Sequence, residues 1–511
     1  MSKESYRKIL TKKSEHHFSL KTSEMQVPAE FLMNENLLPA EETFRQIESI
    51  ATHGSLFQAT AAMPDVMSKP GRKNAAGTTV VSDTHILPQV NDSDPNCGMR
   101  VVATNLTDQN TTPEQIDELF EALVPEVPTK AYVGTRVPFH VVVDICRKGT
   151  QAIIDHLGID TKDELINTQG GGNYFGRELS KQDIFDVIPK LYLHFAQFRL
   201  GITGAAGNHF LDLMKITDIV SEKEATKMGL NKGQYVFMIH TGSGILGQYT
   251  MYTYTAKVRE HLSQTIMTWI GHMTFSTRKK ETYKSIAKKV RYYMKHKIDS
   301  DELFTFDSVK DPEATQMYMN ARAAASNFGV ANRATITHNV SQVAKQVLGR
   351  DIEARLVYDL PHVSVTQEEH FGKDVWVHRS NVTRAYGPQK MKDFDHPLYS
   401  KIGEPVFIPS SMSTEAFIGL GTDRNDTSYF SAPHGTGKGV EISEENAPQD
   451  RDALMAKMAS RGVKLYNGKS SKTVEQDSSR YKDVSQVMAG VEENGIAKVI
   501  AKMEPVAVIM Y

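Results

Sequence analysis

Cysteine is nearly absent: the 511 residues include two, Cys97 and Cys146. That excludes a disulfide framework and leads us to expect a reducing compartment, the cytoplasm. Long apolar runs are missing as well, so no membrane span is expected. From Met1 to Leu20 the chain carries Lys, Glu and His where a secretory signal needs an apolar core, so export is not expected either. Net charge is close to zero, −2 from 59 basic and 61 acidic side chains. Non-specific nucleic-acid binders are usually basic, because phosphate neutralisation drives their affinity, so any contact with a polyanion must be local. One stretch offers it: Arg278 to Lys297 holds nine basic residues against one acidic, Glu281, with Ile286, Val290, Tyr293 and Met294 at helical spacing. The simplest reading of that pattern is a solvated helix packed by one apolar stripe; phosphate contact is the sharper one. Low-complexity tracts and repeat arrays are also lacking.

What is present describes a globular chain, 40% hydrophobic and 23% charged. Apolar spacing predicts a helix over Glu114–Leu123 and another over Tyr318–Val347, interrupted near Phe328-Gly329. Strand-like runs occur at Thr78–Val81, Tyr235–Ile239, Val375–Val377, Pro405–Ile408 and Val506–Tyr511. Short strands mixed with helices predict a mixed α/β (α+β) fold with a central sheet core surrounded by helices. No linker divides the chain, so residues 1–511 are read as one catalytic domain, with insertions or surface segments near 250–310 and 440–485.

The unusual residues sit beside glycine, after a strand-like run or in a loop, where rigid elements usually hold reactive groups. Asp94-Pro95-Asn96-Cys97-Gly98 sets a carboxylate three residues from a thiol. Gly207-Asn208-His209-Phe210 puts an imidazole behind a glycine. His240-Thr241-Gly242-Ser243-Gly244 follows an apolar strand, and Asp359-Leu360-Pro361-His362 again joins an acid to an imidazole. A carboxylate, a thiolate and three imidazoles suit Zn²⁺ or Mn²⁺ better than Mg²⁺, which prefers oxygen ligands. Two such ions would clamp the attacking and leaving oxygens of phosphoryl transfer. Each residue alone has a plainer explanation, a buried small hydrophobe for the cysteine and a hydrogen-bonded loop residue for each histidine. Spacing does not show that the segments converge. In Ser431–Gly439 the alternating glycines can present backbone N–H groups to a phosphate, and His434 among them could attack phosphorus. The plainer reading there is a flexible turn, and the spacing is not that of a Walker A loop.

Taken in order, these segments resemble the RtcB family of RNA ligases. The resemblance runs from near Ala62 to the end of the chain. It rests on Asp94–Arg100 (DxxCGMR), Gly207–Phe210 (GNHF), His240–Gly244 (HxGSG), Ala331–His338 (ANRxxITH), Val377–Ala385 (VHRxxxTRA) and His434–Gly437 (HGxG). It implies two manganese ions, with Cys97 bridging them, Asp94 and His209 completing one site, and His240 and His362 the other. It further implies that His434 attacks the α-phosphate of GTP and becomes guanylylated, with Asp65 orienting its ring. Asn208, Asp212, Ser411, Gly435 and Gly437 fall at nucleotide-contacting positions. The implied partners are GTP and RNA bearing a 3′-phosphate or 2′,3′-cyclic phosphate end and a 5′-hydroxyl end, as in RNA repair or tRNA splicing. An archease-like activator and a monomeric state are expected as well.

Several positions depart from the family pattern. Gly244 and Lys438 stand where the family has arginines, which weakens forked phosphate contacts. Val363 replaces an asparagine, Asp212 a glutamate one methylene longer, and Ala416 a serine. Met510 stands where the family has a lysine near the guanine, so nucleotide preference is open. Two alternatives to sealing remain: a nucleotidyltransferase that caps 3′ ends without joining them, and an inactive RNA-binding accessory protein.

Overall fold

The computed structural model describes residues 5–510 except 92–93, 130–133, 160–162, 175–177, 205–207, 256–302, 304, 440–447, 449 and 468–470. The basic stretch Arg278–Lys297, most of the expected 250–310 insertion and Tyr511 lie outside the described residues.

Two large sheets frame the fold. The eight-stranded sheet runs in the order Arg355–Pro361, Gly98–Thr107, Gln234–Thr241, Phe210–Ile219, Ala497–Met510, Ala416–Gly421 and Pro405–Ile408, with Lys464–Leu465 added in parallel beside Ala497–Met510. Its central strand, Gln234–Thr241, is buried along its whole length because both faces are covered. Val236 and Met238 pack with Met99, Val101 and Met214 on one face. Tyr235, Phe237 and Ile239 pack on the other against Leu119, Phe120 and Ile336. A strand covered on both sides reads as an unbroken apolar run rather than an alternation, which is why it was visible in the sequence. The other sheet has seven strands, Thr11–Ser14, His17–Leu20, Ala29–Phe31, Leu56–Met67, Ala76–Ser82, Lys373–Ser380 and Val363–His370. The chain crosses from one sheet to the other at His362, the single residue between the strands Arg355–Pro361 and Val363–His370.

Helices cover the eight-stranded sheet. Pro113–Glu126 begins at a Thr112–Gln115 capping box with proline in its first turn, so the expected helix starts one residue earlier than the apolar spacing shows. The second expected helix is a single one, Pro312–Leu348, with no break at Phe328-Gly329. Gly329 serves close packing instead: a Cβ there would sit 3.1 Å from the Asn96 carbonyl and 3.2 Å from the Ser243 amide. The described part of 440–485 is mostly exposed or half-buried, with one face turned inward. Leu454, Met458, Val463 and Leu465 are buried in the core, because apolar side chains four apart on the helix Arg451–Ala459 face the sheet.

Candidate active site

Cross-strand register lines up one end of the eight-stranded sheet. Leu360 pairs with Met99, Met99 with His240, His240 with Phe210, and Phe210 with Met510. Cys97, His209, His240 and His362, in or just beyond that row on four segments distant in sequence, are therefore neighbours in space. Cys97 Sγ lies 3.1 Å from His209 Nε2 and 3.3 Å from His240 Nε2, and His240 Nε2 lies 2.9 Å from His362 Nε2. All four are buried, each less than one-tenth exposed.

The far nitrogens explain why the Nε2 atoms converge. His209 Nδ1–H donates to the Thr203 carbonyl and His240 Nδ1–H to the Asn208 carbonyl, both at 2.8 Å. Those tautomers leave the Nε2 lone pairs of His209 and His240 directed at the thiol, while His362 Nδ1 has no hydrogen-bond partner among the described residues. Burial pushes His209 down to about 4 and His240 and His362 well below the usual histidine range, so the imidazoles are held neutral, as metal ligands must be. Burial and the nearby Asp94 carboxylate push the Cys97 thiol up. A bound cation reverses that balance by favouring thiolate. A thiol and neutral imidazoles gathered in a buried pocket are the donor types a transition metal takes, so the set fits one. Cys97, His209 and His240 form a group that could hold one.

Asp94 lies beside this group rather than inside it. Its carboxylate accepts from the Ser243 amide at 3.0 Å, from the Ser243 hydroxyl, and from the Gly244 amide at 3.4 Å. Gly242 permits the approach, since a Cβ there would collide with Asp94 Oδ2. Burial raises Asp94 to about 6 against these stabilising bonds. Asp359, which the sequence sets close to His362, faces elsewhere: it accepts from Arg100 at 3.0 Å and from Arg333 at 2.7 Å.

Arg333 is the residue that sequence reasoning missed. Fully buried on the helix Pro312–Leu348, it donates to Asp359, to the Asn96 and Thr241 carbonyls at 2.8 Å each, and to Asn96 Oδ1 at 2.7 Å. One guanidinium thus ties together the loops that carry Cys97, His240 and His362. Asn96, held at a φ of 55°, turns the chain so that Cys97 follows in place. The available signal was an arginine inside an alanine-rich helical stretch, Ala321 to Ala334, where a charge needs buried partners.

His434 completes the constellation. It follows the short strand Ser431–Pro433, and its Nδ1 is 2.9 Å from Asp65 Oδ2. Its ring stacks on His362 at 4.5 Å between centroids and 29° between planes. Gly437, at a φ of 69°, lets the loop close on Asp65, where a Cβ would meet the Asp65 carbonyl. Gly435 packs over the Pro409 carbonyl. The loop after His434 reaches a pocket through Thr436, whose hydroxyl is 3.2 Å from that of Ser410; Asn208, Asp212, Ser411, Tyr481 and Met510 are among the residues that line it. Phe210, Asp212 and Met214 point to one face of their strand, so their positions in this pocket follow from alternation. Asp212 Oδ1 has no hydrogen-bond partner among the described residues, and burial holds its carboxyl well above the usual range.

Known proteins match this chain along nearly its whole length. Three relatives named tRNA-splicing ligase RtcB illustrate the range. That of Thermococcus kodakarensis is 28% identical over 500 residues, covering 95% of both chains. That of Aeropyrum pernix is 27% identical over 507 residues, again with 95% of both chains covered. That of Pyrococcus abyssi is 29% identical over 423 residues, covering 81% of this chain but 42% of the relative, so the present chain spans about two-fifths of that protein. A family model described as "RtcB: tRNA-splicing ligase RtcB" matches residues 46–511, a span holding every site residue described above, and the chain belongs to that family.

Proposed function

We propose that this chain is a GTP- and manganese-dependent RNA ligase, joining a 3′-phosphate or 2′,3′-cyclic phosphate end to a 5′-hydroxyl end through a guanylylated His434. One observation carries the reading: an imidazole oriented by a carboxylate is stacked against a convergent thiol–imidazole cluster. The names of the relatives support RNA as the substrate class.

With Asp65 accepting Nδ1–H, the Nε2 lone pair of His434 is free to attack the α-phosphorus of GTP. A P–N bond forms and pyrophosphate leaves with its electron pair. Asn208, Asp212 and Ser411 line the adjoining pocket and would hold the nucleotide so that attack is in line. A cyclic phosphate must first be hydrolysed to a 3′-phosphate, whose oxygen then attacks the guanylyl phosphorus and releases His434. Attack of the 5′-hydroxyl on the activated 3′-phosphorus, with loss of its proton, expels GMP and seals the strand. Divalent ions held by Asp94, Cys97, His209, His240 and His362 would supply charge neutralisation for these transfers.

The test is incubation with α-labelled GTP and Mn²⁺, followed by RNA with defined ends. An acid-labile protein adduct that then disappears into sealed RNA is the expected result. Label retained on unsealed 3′ ends would indicate capping alone, and absence of any adduct would remove the enzymatic reading.

A further inference from the structure

We propose that Lys482 is a positioning residue for the Asp65–His434 pair, holding both partners at once. Its Nζ donates to the carbonyls on either side of Asp65, Pro64 at 2.8 Å and Val66 at 2.7 Å. Its backbone amide donates at 3.0 Å to the carbonyl of Gly437, three residues beyond His434.

The strand around Asp65 requires such a clamp. Leu56–Met67 pairs in register with Ala76–Ser82 from Thr60 to Ala62, loses register after Ala62, and resumes at Met67. Its pairing with Ala29–Phe31 ends at Ala62 as well. Residues 63–66 therefore leave the ladder, which allows Asp65 to face His434 instead of a cross-strand neighbour. The carbonyls of Pro64 and Val66 lose their ladder partners in consequence, and Lys482 replaces them. Burial pushes this lysine down to about 8 while Asp65 opposes the shift, so the group remains a cation at neutral pH. Asp65 Oδ1 has no hydrogen-bond partner among the described residues. The carboxylate is thus held by its backbone and by its bond to His434, and that backbone is what Lys482 fixes. An aim error of about 1 Å at a nucleophile can cost about a hundredfold in rate.

This inference rests on the proposed nucleotidyl transfer and is tested in two ways. In single-turnover adduct formation with GTP and Mn²⁺, Lys482→Met should slow the step at least about tenfold. The GTP concentration for half-maximal rate and the metal content should stay within about twofold, and Lys482→Arg should recover part of the loss. In metal-free protein labelled with [15N]histidine, the hydrogen-bonded Nδ1–H signal of His434 should weaken in Lys482→Met and persist in Lys482→Arg. An unchanged adduct rate together with an unchanged Nδ1–H signal would overturn the proposal. So would a rate loss that tracks a lowered melting temperature and is not recovered by arginine, since that marks a structural lysine alone. Wild-type protein forming no adduct would instead remove the nucleotidyl-transfer reading itself.

Discussion

At the scale of single residues, the site is governed by which histidine nitrogen is tied down. Asp65 fixes Nδ1 of His434, as the Thr203 and Asn208 carbonyls fix Nδ1 of His209 and His240. His434→Ala should therefore abolish the nucleotide adduct with metal content unchanged, measured by labelled-GTP transfer and elemental analysis. Asp65→Asn keeps the shape but can offer an amide N–H to the ring, favouring the wrong tautomer, and should slow adduct formation by about 10²–10⁴-fold. Loss of metal from His434→Ala would make His434 a ligand rather than the nucleophile. His378 shows the same control away from the site. Its Nε2 accepts the Leu87 amide at 2.9 Å and its Nδ1–H donates to the Val80 carbonyl, so only the neutral ring satisfies both. Burial accordingly pushes it down to about 3. The unfolded chain takes up this proton near pH 6.5 and the folded one does not, so stability falls as pH drops from about 6.5 towards 3. Between pH 7 and pH 5 the loss from this residue is about 2 kcal/mol. Urea titrations of metal-free protein should show the decline, and His378→Gln, whose amide can both accept and donate, should make it shallower. Equal slopes in the two proteins would contradict the assignment.

Among elements, the long helix Pro312–Leu348 organises the ligand loops more than it covers the sheet. Arg333 spends its donors on Asp359 and on two loop carbonyls, all in a dry interior. Arg333→Met leaves Asp359 with Arg100 as its remaining partner and frees the Asn96 and Thr241 carbonyls. Breaking a buried pair from one side costs about 3–5 kcal/mol, and metal affinity should fall in parallel because the Cys97 and His240 loops lose their common tie. Thermal unfolding and metal titration check this, and weakened stability with undiminished metal binding would show that the loops are set independently. The same helix marks the limit of what the sequence disclosed. Strands such as Tyr235–Ile239 and Pro405–Ile408 were legible because continuous apolar runs bounded by polar residues have few other uses. The glycine at 329 was read as a break because local propensity cannot register the Asn96 and Ser243 backbones that approach it from elsewhere. The chemistry-bearing side chains were legible as types beside glycines, whereas the convergence of the thiol and three imidazoles depends on register across four strands, which spacing within any one segment does not contain. Arg333 and Lys482 escaped notice for a related reason, since their partners, Asp359, Asn96 and Thr241 for the one and Pro64 and Val66 for the other, lie far from them in sequence.

Across the whole molecule, the sheet end that gathers the imidazoles also lines the pocket of Asn208, Asp212 and Met510, and the two share a wall. Phe210 pairs with His240 on one side and with Met510 on the other, so the pocket begins one strand from the ligand cluster. Under the proposed function, this continuity would let a nucleotide phosphate approach ions held by the cluster while its base lies along the sheet. Asp212 and Met510 then stand at diagonal positions on one face, because Val508 is the direct partner of Asp212 and Met510 that of Phe210. Diagonal neighbours on a sheet are about 7–8 Å apart at Cα, within reach of a long side chain. A lysine at 510 could approach both the Asp212 carboxyl and a base carbonyl, whereas the thioether of Met510 offers neither charge nor a donor. A charge-assisted hydrogen bond is worth about 1.5–3 kcal/mol, or roughly ten- to a hundredfold in affinity. Wild-type protein should therefore discriminate weakly between GTP and ATP in competition for adduct formation, and Met510→Lys should raise the preference for GTP at least about tenfold. Asp212→Asn in the Met510→Lys background should reverse much of that gain, because the lysine loses the carboxylate that would hold it in place. Strong GTP selectivity in wild type, unchanged by Met510→Lys, would place base recognition elsewhere, among Asn208, Ser411 and Tyr481, with position 510 only filling space.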